Sequence, residues 1–401
     1  MDRRNALALL IVLLCVCLIS RRSESVGQNL PETQELISVI PFELDGHKIC
    51  VNVTLNNNPE EYKFVLDTGA LTMIDEEVAA ELRLEKGAEM PTLDPSVKTY
   101  LTTLKKLSVG DMVVENMTIP IMDTKSFFSA SSKMDGFVGS DFLRLFRLTI
   151  DYRTKTIIHY AKSSIPDSLH EGYRMPLERH IMIGAPMVAC TLGKEITTKG
   201  MIDTGSPFGL VLPLSFAGHF DGPEKIRSKG VIAQWPFTSS ETNYLSRLEL
   251  FTLGTLELRN IPVIFAELPA TVSYPLLGKE ILSQFAITLN FPESELILSP
   301  HGDAHFHDNV YSTGLAVKKG EDDRIVVRGL WAGSPADRAN IRVGDEILEI
   351  NSQDTEDFSM EEIHEMLRDD GIHKIELVVK SEGTERDVIL EKDMLLPGRN
   401  D

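Results

Sequence analysis

The sequence Phe64-Val65-Leu66-Asp67-Thr68-Gly69 is partly repeated by Met201-Ile202-Asp203-Thr204-Gly205. Each copy places an aspartate directly after an apolar run that is typical of a buried strand. A buried carboxylate is unfavourable unless its charge is shared or hydrogen-bonded. Because this arrangement occurs twice in matching contexts, we expect the Asp67 and Asp203 carboxyl groups to lie together as one pair.

The similarity between the two halves extends beyond the motif. Phe137-Val138-Gly139 follows the first copy and Leu276-Leu277-Gly278 follows the second, each before a predicted short helix and two predicted strands. The motif aspartates are 136 positions apart and the two later glycines are 139 positions apart. A repeat of this length indicates two similar lobes produced by internal duplication. Short segments rich in Val, Ile and Phe between turn residues predict a mainly β fold.

Length and charge restrict the possible functions. The 401 residues predict two or three domains, and the 42% hydrophobic content is sufficient for packed cores. The formal net charge of −20 argues against nucleic acid as a partner, since phosphate binding requires clustered Lys and Arg.

Residues 1–25 have the features of an export signal. Arg3 and Arg4 precede an apolar run over residues 6–19, and Ser20, Ser23 and Ser25 supply small residues for cleavage. The run is shorter than the roughly twenty residues of a permanent transmembrane helix. We therefore expect an exported chain with no stable membrane span after cleavage, with an uncleaved anchor as the alternative.

The remaining cysteines and histidines do not form a metal-binding pattern. Cys50 and Cys190 lie 17 and 13 residues before the two motif aspartates, in roughly matching places, and are either bridged or two buried thiols. The sequence has no CxxC or HExxH motif, so we expect no metal. His301, His305 and His307 fall in a polar stretch that we interpret as a solvated linker over residues 301–311.

The motif residues resemble those of retropepsin-like and pepsin-like aspartic proteases, over about residues 32–300. The resemblance implies a bilobal structure of β-barrel lobes, 32–165 and 166–300, with Asp67 and Asp203 as catalytic residues on the floor of the cleft between them. The two carboxyl groups would share one proton and activate a water that attacks the peptide bond, without a cofactor. Because both lobes are on one chain, the active site would not require a homodimer.

The same resemblance assigns supporting roles around the pair. Thr68 and Thr204 would form hydrogen bonds across the lobe interface, and Gly69 and Gly205 would allow the two loops to approach closely. Gly139 and Gly278 would lie behind these loops, where a side chain would collide. Ser206 would offer its hydroxyl to the carboxylate of its own lobe. Ala70 has no hydroxyl to offer, so the two aspartates would have unequal surroundings.

Two stretches are candidates for a flap over the cleft, residues 86–103 and 225–244. Tyr100 and Trp235 are the aromatic residues within them that would face the cleft. The alternative is that both side chains serve core or surface packing.

The last part of the chain resembles the PDZ domains of exported bacterial proteases, over about residues 310–396. The resemblance depends on Gly333-Ser334-Pro335-Ala336 and on residues 343–351, Val-Gly-Asp-Glu-Ile-Leu-Glu-Ile-Asn. It implies an α+β PDZ domain, 312–397, that adds a peptide to the edge of its sheet. The loop that captures the terminal carboxylate would comprise Ser312 and the residues that we predict to contact the peptide, Thr313, Gly314, Leu315 and Ala316. A packing module without a ligand is the alternative.

Two functions from different classes fit these observations. The favoured one is an exported endopeptidase of the bacterial periplasm, cell envelope or medium that cleaves proteins or peptides, with a PDZ module that binds peptides or substrate termini. The other is a catalytically inactive peptide-binding or scaffolding protein on a protease-like frame. Cleavage that depends on both aspartates distinguishes the two.

Overall fold

The computed structural model describes residues 38–90, 98–124, 134–160, 172–220, 225–233, 242–269, 271–302, 310–320 and 324–396. The predicted export signal and Trp235 lie outside these ranges. The helices of the described residues are all too short or too polar to cross a membrane. The fold is mainly β, as predicted.

Lobe 1 extends from β1 to β11, and short strands alternate with tight turns as its sequence predicts. Its described strands are β1 (Ser38–Pro41), β2 (Glu43–Asp45), β3 (Lys48–Leu55), β4 (Glu61–Leu66), β5 (Met73–Asp75), β6 (Glu89–Met90), β7 (Thr99–Val109), β8 (Met112–Met122), β9 (Gly136–Val138), β10 (Arg147–Asp151) and β11 (Thr156–Tyr160). Its helices are α1 (Glu76–Glu81) and α2 (Ser140–Leu143). Strands β2 to β9 form one sheet in the order β2-β3-β4-β9-β5-β8-β7-β6.

Lobe 2 repeats the order of lobe 1. Its described strands are β12 (Tyr173–Pro176), β13 (Glu178–Arg179), β14 (Pro186–Leu192), β15 (Ile196–Ile202), β16 (Leu210–Pro213), β17 (Ile226–Gly230), β18 (Tyr244–Leu253), β19 (Leu256–Ala266), β20 (Leu276–Leu277), β21 (Phe285–Asn290) and β22 (Glu295–Pro300). A 3-10 helix covers Leu214–His219, and α3 covers Lys279–Leu282. The central pairings also repeat, because β4 is parallel to β9 in lobe 1 and β15 is parallel to β20 in lobe 2.

The two lobes share a sheet that runs beneath both of them, in the order β1-β11-β10-β21-β22-β12. Strands β10 and β21 join the halves with Thr149 opposite Thr288, and their hydroxyl oxygens are 2.7 Å apart. The two threonines are 139 positions apart, the same offset as that between Gly139 and Gly278. The duplication therefore produces an approximate two-fold relation between the lobes.

The C-terminal domain has its own hydrophobic core, which contains Leu330, Ile347, Ile363 and Val379. Its strands are β23 (Tyr311–Ser312), β24 (Leu315–Lys319), β25 (Ile325–Trp331), β26 (Glu346–Ile350), β27 (Gln353–Asp354), β28 (Lys374–Ser381), β29 (Thr384–Glu391) and β30 (Asp393–Met394). Its helices are α4 (Pro335–Arg338), a 3-10 turn at Thr355–Asp357 and α5 (Met360–Arg368). Helix α5 begins with a capping box formed by Ser359 and Glu362, as expected for a Ser-x-x-Glu sequence.

The sheet of lobe 2 continues into the C-terminal domain. Strand β17 pairs antiparallel with β25, with Ser228 opposite Trp331 and Gly230 opposite Gly329. No local sequence pattern predicts this pairing, because it joins strands about 100 residues apart. The C-terminal domain is thus attached to lobe 2 by backbone hydrogen bonds as well as by side chains.

Cys50 and Cys190 are both buried free thiols, which excludes the bridged alternative. Burial raises the pKa of Cys50 to about 11 and that of Cys190 to about 12, so both are protonated at neutral pH. They do not occupy matching places, since Cys50 lies opposite Val65 and Cys190 lies opposite Thr198. Among the three linker histidines only His301 is described, and its Nε2 lies 3.3 Å from Asp151 Oδ1.

Candidate active site

Each motif aspartate directly follows a central strand of its lobe. The Asp67 N–H donates to Val138 O at 3.0 Å, and the Asp203 N–H donates to Leu277 O at 2.8 Å. These bonds extend the parallel pairing of β4 with β9 in lobe 1 and of β15 with β20 in lobe 2. The two apolar residues before Gly139 and Gly278 therefore fix the backbone from which each aspartate projects.

The two carboxyl groups come together between the lobes, each against the motif glycine of the other lobe, and are close enough to affect each other's pKa. Asp203 is buried, whereas Asp67 is partly exposed. Burial raises the pKa of Asp67, and hydrogen bonds from backbone N–H groups oppose that rise. Burial, followed by the nearby charge of Asp67, raises the pKa of Asp203 well above its ordinary value. The pair can therefore hold one proton between two oxygens, and Asp203 is the favoured site for it.

The motif glycines make this close approach possible. A Cβ added to Gly69 would lie 2.6 Å from Asp203 Oδ1, and one added to Gly205 would lie 2.3 Å from Asp67 Oδ2. In addition, the Gly69 N–H donates to Asp67 Oδ1 at 2.7 Å, and the Gly205 N–H donates to Asp203 Oδ1 at 3.0 Å. Each glycine thus packs against the carboxyl group of the other lobe while its N–H binds that of its own lobe.

Thr68 and Thr204 connect the two motif loops. The Thr68 N–H donates to Thr204 Oγ1, and the Thr204 N–H donates to Thr68 Oγ1, both at 3.0 Å. Each hydroxyl in turn donates to the opposite lobe, Thr68 Oγ1 to Ile202 O at 2.6 Å and Thr204 Oγ1 to Leu66 O at 3.3 Å. Both side chains are fully buried. This reciprocal set of four bonds fixes the relative position of the two aspartates.

Gly139 and Gly278 lie directly behind the motif loops. A Cβ at Gly139 would lie 2.3 Å from the Leu71 carbonyl carbon, and a Cβ at Gly278 would lie 2.2 Å from Phe208 O. These contacts are with backbone atoms, which no side-chain rotation can relieve. Glycine is therefore required at both positions to keep the loops in place.

Several residues that support lobe 1 were not recognised in the sequence. Ser140 Oγ donates to Thr68 O, and the buried Asp141 carboxylate accepts from the Thr72 N–H and hydroxyl, both at 2.7 Å. Thr72 Oγ1 also accepts from the Gly139 N–H at 2.9 Å. At the corresponding place in lobe 2, the Gly209 N–H donates to Glu280 Oε2 at 2.9 Å. A Ser-Asp pair directly after Gly139 was the available sequence signal.

The expectation for Ser206 is wrong in one respect. Its hydroxyl is buried and has no hydrogen-bond partner among the described residues, so it does not bond the Asp203 carboxylate. The Ser206 backbone contributes instead, because its N–H lowers the pKa of Asp203. The inequality of the two aspartates comes from their burial, with Asp203 the more enclosed.

Two tyrosines lie near the carboxyl pair. Tyr152 is buried, its hydroxyl has no partner among the described residues, and its pKa is raised by burial and by the charges of Asp203 and Asp67. Burial and Asp203 raise the pKa of Tyr274 to about 12. Tyr274 packs against the His180 ring with centroids 5.4 Å apart. Both tyrosines are therefore neutral neighbours that add no charge to the site.

The two flap candidates correspond to equivalent hairpins. In lobe 1, β6 pairs with β7, and the partly buried Tyr100 ring lies 5.2 Å from Lys86 Nζ. In lobe 2, β17 pairs with β18. Residues 91–97 and 234–241, between the paired strands, are outside the described part of the chain. The role of Trp235 stays a prediction.

Comparison with protein families agrees with this geometry. Residues 51–142 match the family described as aspartyl protease, and residues 304–380 match the family described as PDZ domain. The chain carries an aspartyl protease domain and a PDZ domain. The first match covers most of lobe 1, and the repeated motif relates lobe 2 to it. A comparison with curated proteins finds no match.

The predicted carboxylate loop of the PDZ domain is occupied by its own hydroxyl groups. The Gly314 N–H donates to Ser312 Oγ at 3.0 Å, and the Leu315 N–H donates to Thr313 Oγ1 at 3.4 Å. Gly314 has a φ of 77°, and an added Cβ would lie 2.1 Å from the Ser334 Cβ, so glycine is required there. A peptide carboxylate would have to displace the Ser312 hydroxyl in order to use the Gly314 N–H.

A small apolar cavity lies in the core of the domain beside this loop, and its lining includes Leu315 and Val317 of β24 and Ile363 and Leu367 of α5. His364 on α5 lies near the Val317 backbone, which opposes the fall in the pKa of the histidine. Ala316 packs instead with residues of lobe 2.

Proposed function

We propose that this protein is an aspartic endopeptidase that uses Asp67 and Asp203 as one catalytic pair. The observation that carries the proposal is the placement of the two carboxyl groups together between the lobes. Each packs against the motif glycine of the other lobe, and the reciprocal Thr68 and Thr204 bonds hold the two loops in place. A scaffold without catalysis has no need to keep two carboxyl groups in contact, since their repulsion is unfavourable when both are ionised.

In the proposed reaction a water is bound between the two carboxyl groups. Asp67, the more exposed and more easily ionised member, accepts a proton from that water while the water oxygen attacks the scissile carbonyl carbon, and Asp203 transfers its proton to the carbonyl oxygen. The attack gives a neutral gem-diol, a protonated Asp67 and an ionised Asp203. Asp67 then donates its proton to the amide nitrogen, Asp203 takes a proton from a gem-diol hydroxyl, and the C–N bond breaks to release a carboxylic acid and an amine. The Gly69 N–H donates to Asp67 and the Gly205 N–H donates to Asp203, so each stabilises the carboxylate of its own lobe while that group is ionised. The chemistry requires no cofactor and no covalent intermediate.

The proposal includes export and peptide recognition. The apolar run and small residues within 1–25 support cleavage of a signal and location in a bacterial periplasm, envelope or medium. The match of residues 304–380 to the PDZ domain family supports binding of peptides or substrate termini by this domain. The two Asp-Thr-Gly motifs on one chain support an active site that needs no homodimer.

Cleavage of an unstructured protein by the purified chain tests the catalytic pair. We expect Asp67→Asn and Asp203→Asn each to reduce the rate by at least about 10³-fold, because each removes one of the two proton positions. Asp111→Asn is the matched control, since Asp111 is an exposed aspartate of lobe 1 that bonds only His159 among the described contacts. Cleavage that survives either active-site substitution excludes the mechanism. A wild-type chain that cleaves no unstructured protein favours the scaffolding alternative.

A further inference from the structure

The sheet of lobe 2 that carries Asp203 has two apolar faces. Consecutive residues of β15 point to opposite faces, with Ile202 in the main core and Met201 in a second cluster. The Asp203 N–H continues the hydrogen-bond pattern of β15, so the Asp203 side chain lies on the same face as Met201. The second cluster therefore covers the aspartate-bearing face of lobe 2. We call it the Asp203-face cluster. Its buried members in lobe 2 include Met187, Met201, Val211, Ile232, Leu245, Ile264 and Leu276.

The PDZ domain completes this cluster. Trp331 and Leu396 of the PDZ domain are both buried in it. Trp331 is the last residue of β25, and its neighbour Leu330 points the other way into the PDZ core. The equivalent cluster of lobe 1, around Val65 and Phe137, contains no PDZ residue among those described. Only lobe 2 thus has a tryptophan from another domain behind its catalytic aspartate.

Backbone contacts fix the position of β17 against β25. The Val231 N–H donates to Arg328 O, and the Ala332 N–H donates to Arg227 O, both at 2.9 Å. Arg328 Nη2 donates to Ile232 O at 2.6 Å. A salt bridge adds to these contacts, because Lys229 Nζ on β17 lies 2.5 Å from Asp337 Oδ1 on α4. The β17–β18 hairpin is therefore attached to the PDZ domain on one edge and to the sheet of lobe 2 on the other.

Hydrogen bonds also hold the hairpin together at the end nearest its connecting loop. Asn243 is buried, and its side-chain oxygen accepts from the Ile232 and Ala233 N–H groups at 3.1 and 3.0 Å. The Asn243 N–H donates to Ser228 Oγ at 2.9 Å. A displacement of β17 by the PDZ domain is consequently transmitted to Ile232 and Ala233, which belong to the Asp203-face cluster.

We infer that the PDZ domain supports one side of the substrate-binding cleft, with Trp331 and Gly329 of β25 acting as positioning residues for the β17–β18 hairpin and the Asp203-face cluster. The inference rests on the proposed peptidase function and adds a determinant of substrate binding to it. The catalytic pair itself is held by Thr68 and Thr204, which do not contact β25. Loss of the β25 contact should therefore impair substrate binding and leave the chemistry of the pair intact.

Gly329 offers a sharp test because the three atoms nearest to a Cβ added there all belong to lobe 2. That atom would lie 2.6, 2.7 and 2.9 Å from the O, C and N atoms of Val231. Gly329 does not adopt a positive φ, so alanine is compatible with its backbone. Gly320→Ala is the matched control in the same domain, because its Cβ would have only ordinary contacts, the nearest at 3.4 Å.

The measurement is steady-state kinetics of the full chain on a peptide that contains the bond cleaved fastest in an unstructured protein. For Gly329→Ala and for Trp331→Leu we expect KM to rise by about tenfold or more, since small displacements of positioning groups have large effects. We expect kcat and the pH profile of kcat to match the wild type, and Gly320→Ala to match it throughout. Equal KM values in Gly329→Ala, Gly320→Ala and wild type overturn the inference and leave the proposed function intact.

Hydrogen exchange on the same proteins tests the positioning role of β25 independently of the proposed peptidase function. For Gly329→Ala we expect faster amide exchange in residues 226–233 and in residues 201–203 than for wild type or Gly320→Ala. A wild type that cleaves no peptide contradicts the proposed function. In that case the amide exchange rates alone show whether β25 positions the Asp203-face cluster. Unchanged exchange in residues 201–203 would show that the PDZ domain does not reach the aspartate-bearing face.

Discussion

At the scale of single residues, Asp203 couples catalysis to stability. Its pKa in the folded chain is raised above the unfolded value by burial and by Asp67. A carboxyl group with a raised pKa contributes stability at low pH, and this contribution is lost as the pH rises through the folded pKa. At neutral pH the folded chain must therefore either bind a proton or bury a second charge, and both are unfavourable.

Asp203→Asn should remove this unfavourable contribution. We expect the variant to be more stable than the wild type by about 2 kcal/mol at neutral pH, because the amide donates to Asp67 without binding a proton. The gain should shrink as the pH falls towards and below about 4, where the carboxyl group of the unfolded chain also becomes protonated. Denaturant unfolding of both proteins at several pH values measures the difference. A variant that is less stable than the wild type at pH 7 contradicts the pKa assignment.

The sequence predicted the residues of the site whose role depends on local spacing. Asp67, Asp203 and the glycines after them follow a strand at a fixed distance, and the structure places all of them at the lobe interface. The partners of Ser206 and Tyr152 depend on which side chains pack around them across the fold. A pattern along the chain does not contain that information, and the expectation for the Ser206 hydroxyl was wrong for this reason.

At the scale of elements, strands and helices were predicted correctly where the spacing of apolar residues and the capping residues indicate the same element. Helix α5 covers Met360–Arg368, directly after the Ser-x-x-Glu capping box that indicates a helix start. Strand β17 shows the limit, because its polar sequence Ile-Arg-Ser-Lys-Gly is stabilised by pairing with β18 and β25. Neither pairing is encoded by the five residues themselves, since sheet pairing is set by partners distant in the chain.

The loop before β24 should control how tightly the PDZ domain binds a peptide carboxylate. Its Gly314 N–H is bound by Ser312 Oγ, which competes with any peptide carboxylate. A hydrogen bond of this type contributes about 0.5–1.5 kcal/mol. We therefore expect Ser312→Ala to bind a peptide with an apolar C-terminal residue about threefold to tenfold more tightly than the wild type, by calorimetry or fluorescence anisotropy.

Two controls identify the source of that gain. The same peptide with an amidated C-terminus should show no increase, because it lacks the carboxylate that would take the Gly314 N–H. Thr384→Ala alters an exposed hydroxyl at the start of β29 and should leave the affinity unchanged. Equal affinity of wild type and Ser312→Ala for the free peptide would show that the loop does not receive a carboxylate.

At the scale of the whole molecule, three parts of the chain meet around two histidines. The turn between β2 and β3 of lobe 1 contains His47, and Lys279 on α3 of lobe 2 donates to Gly46 O at 2.6 Å. His364 lies on α5 of the PDZ domain, and its charge and that of Arg368 are both close enough to His47 to lower its pKa. The junction therefore joins both lobes to the PDZ domain through a group of basic side chains.

Both histidines are held neutral at this junction. Burial, followed by Lys48, Arg368, Lys279 and His364, lowers the pKa of His47 to about 3. Burial, followed by Arg368 and Arg328, lowers the pKa of His364 to about 4, against the opposing effect of the nearby Val317 backbone. A histidine with a lowered pKa contributes stability above its unfolded pKa of about 6.5, and this contribution is lost as the pH falls towards the folded value.

Acidification should consequently loosen the PDZ domain from the lobes while it favours the protonated catalytic pair. Between about pH 6.5 and pH 4 we expect the wild type to lose about 2–4 kcal/mol of stability that a His47→Gln/His364→Gln variant retains. If the PDZ domain also positions the Asp203-face cluster, the KM of the wild type should rise in the same pH range and the KM of the variant should not. Unfolding and peptide cleavage measured across this range test both expectations. Parallel pH curves for the two proteins would show that these histidines do not control docking, and a KM that rises equally in both would assign the acid effect to the catalytic cleft itself.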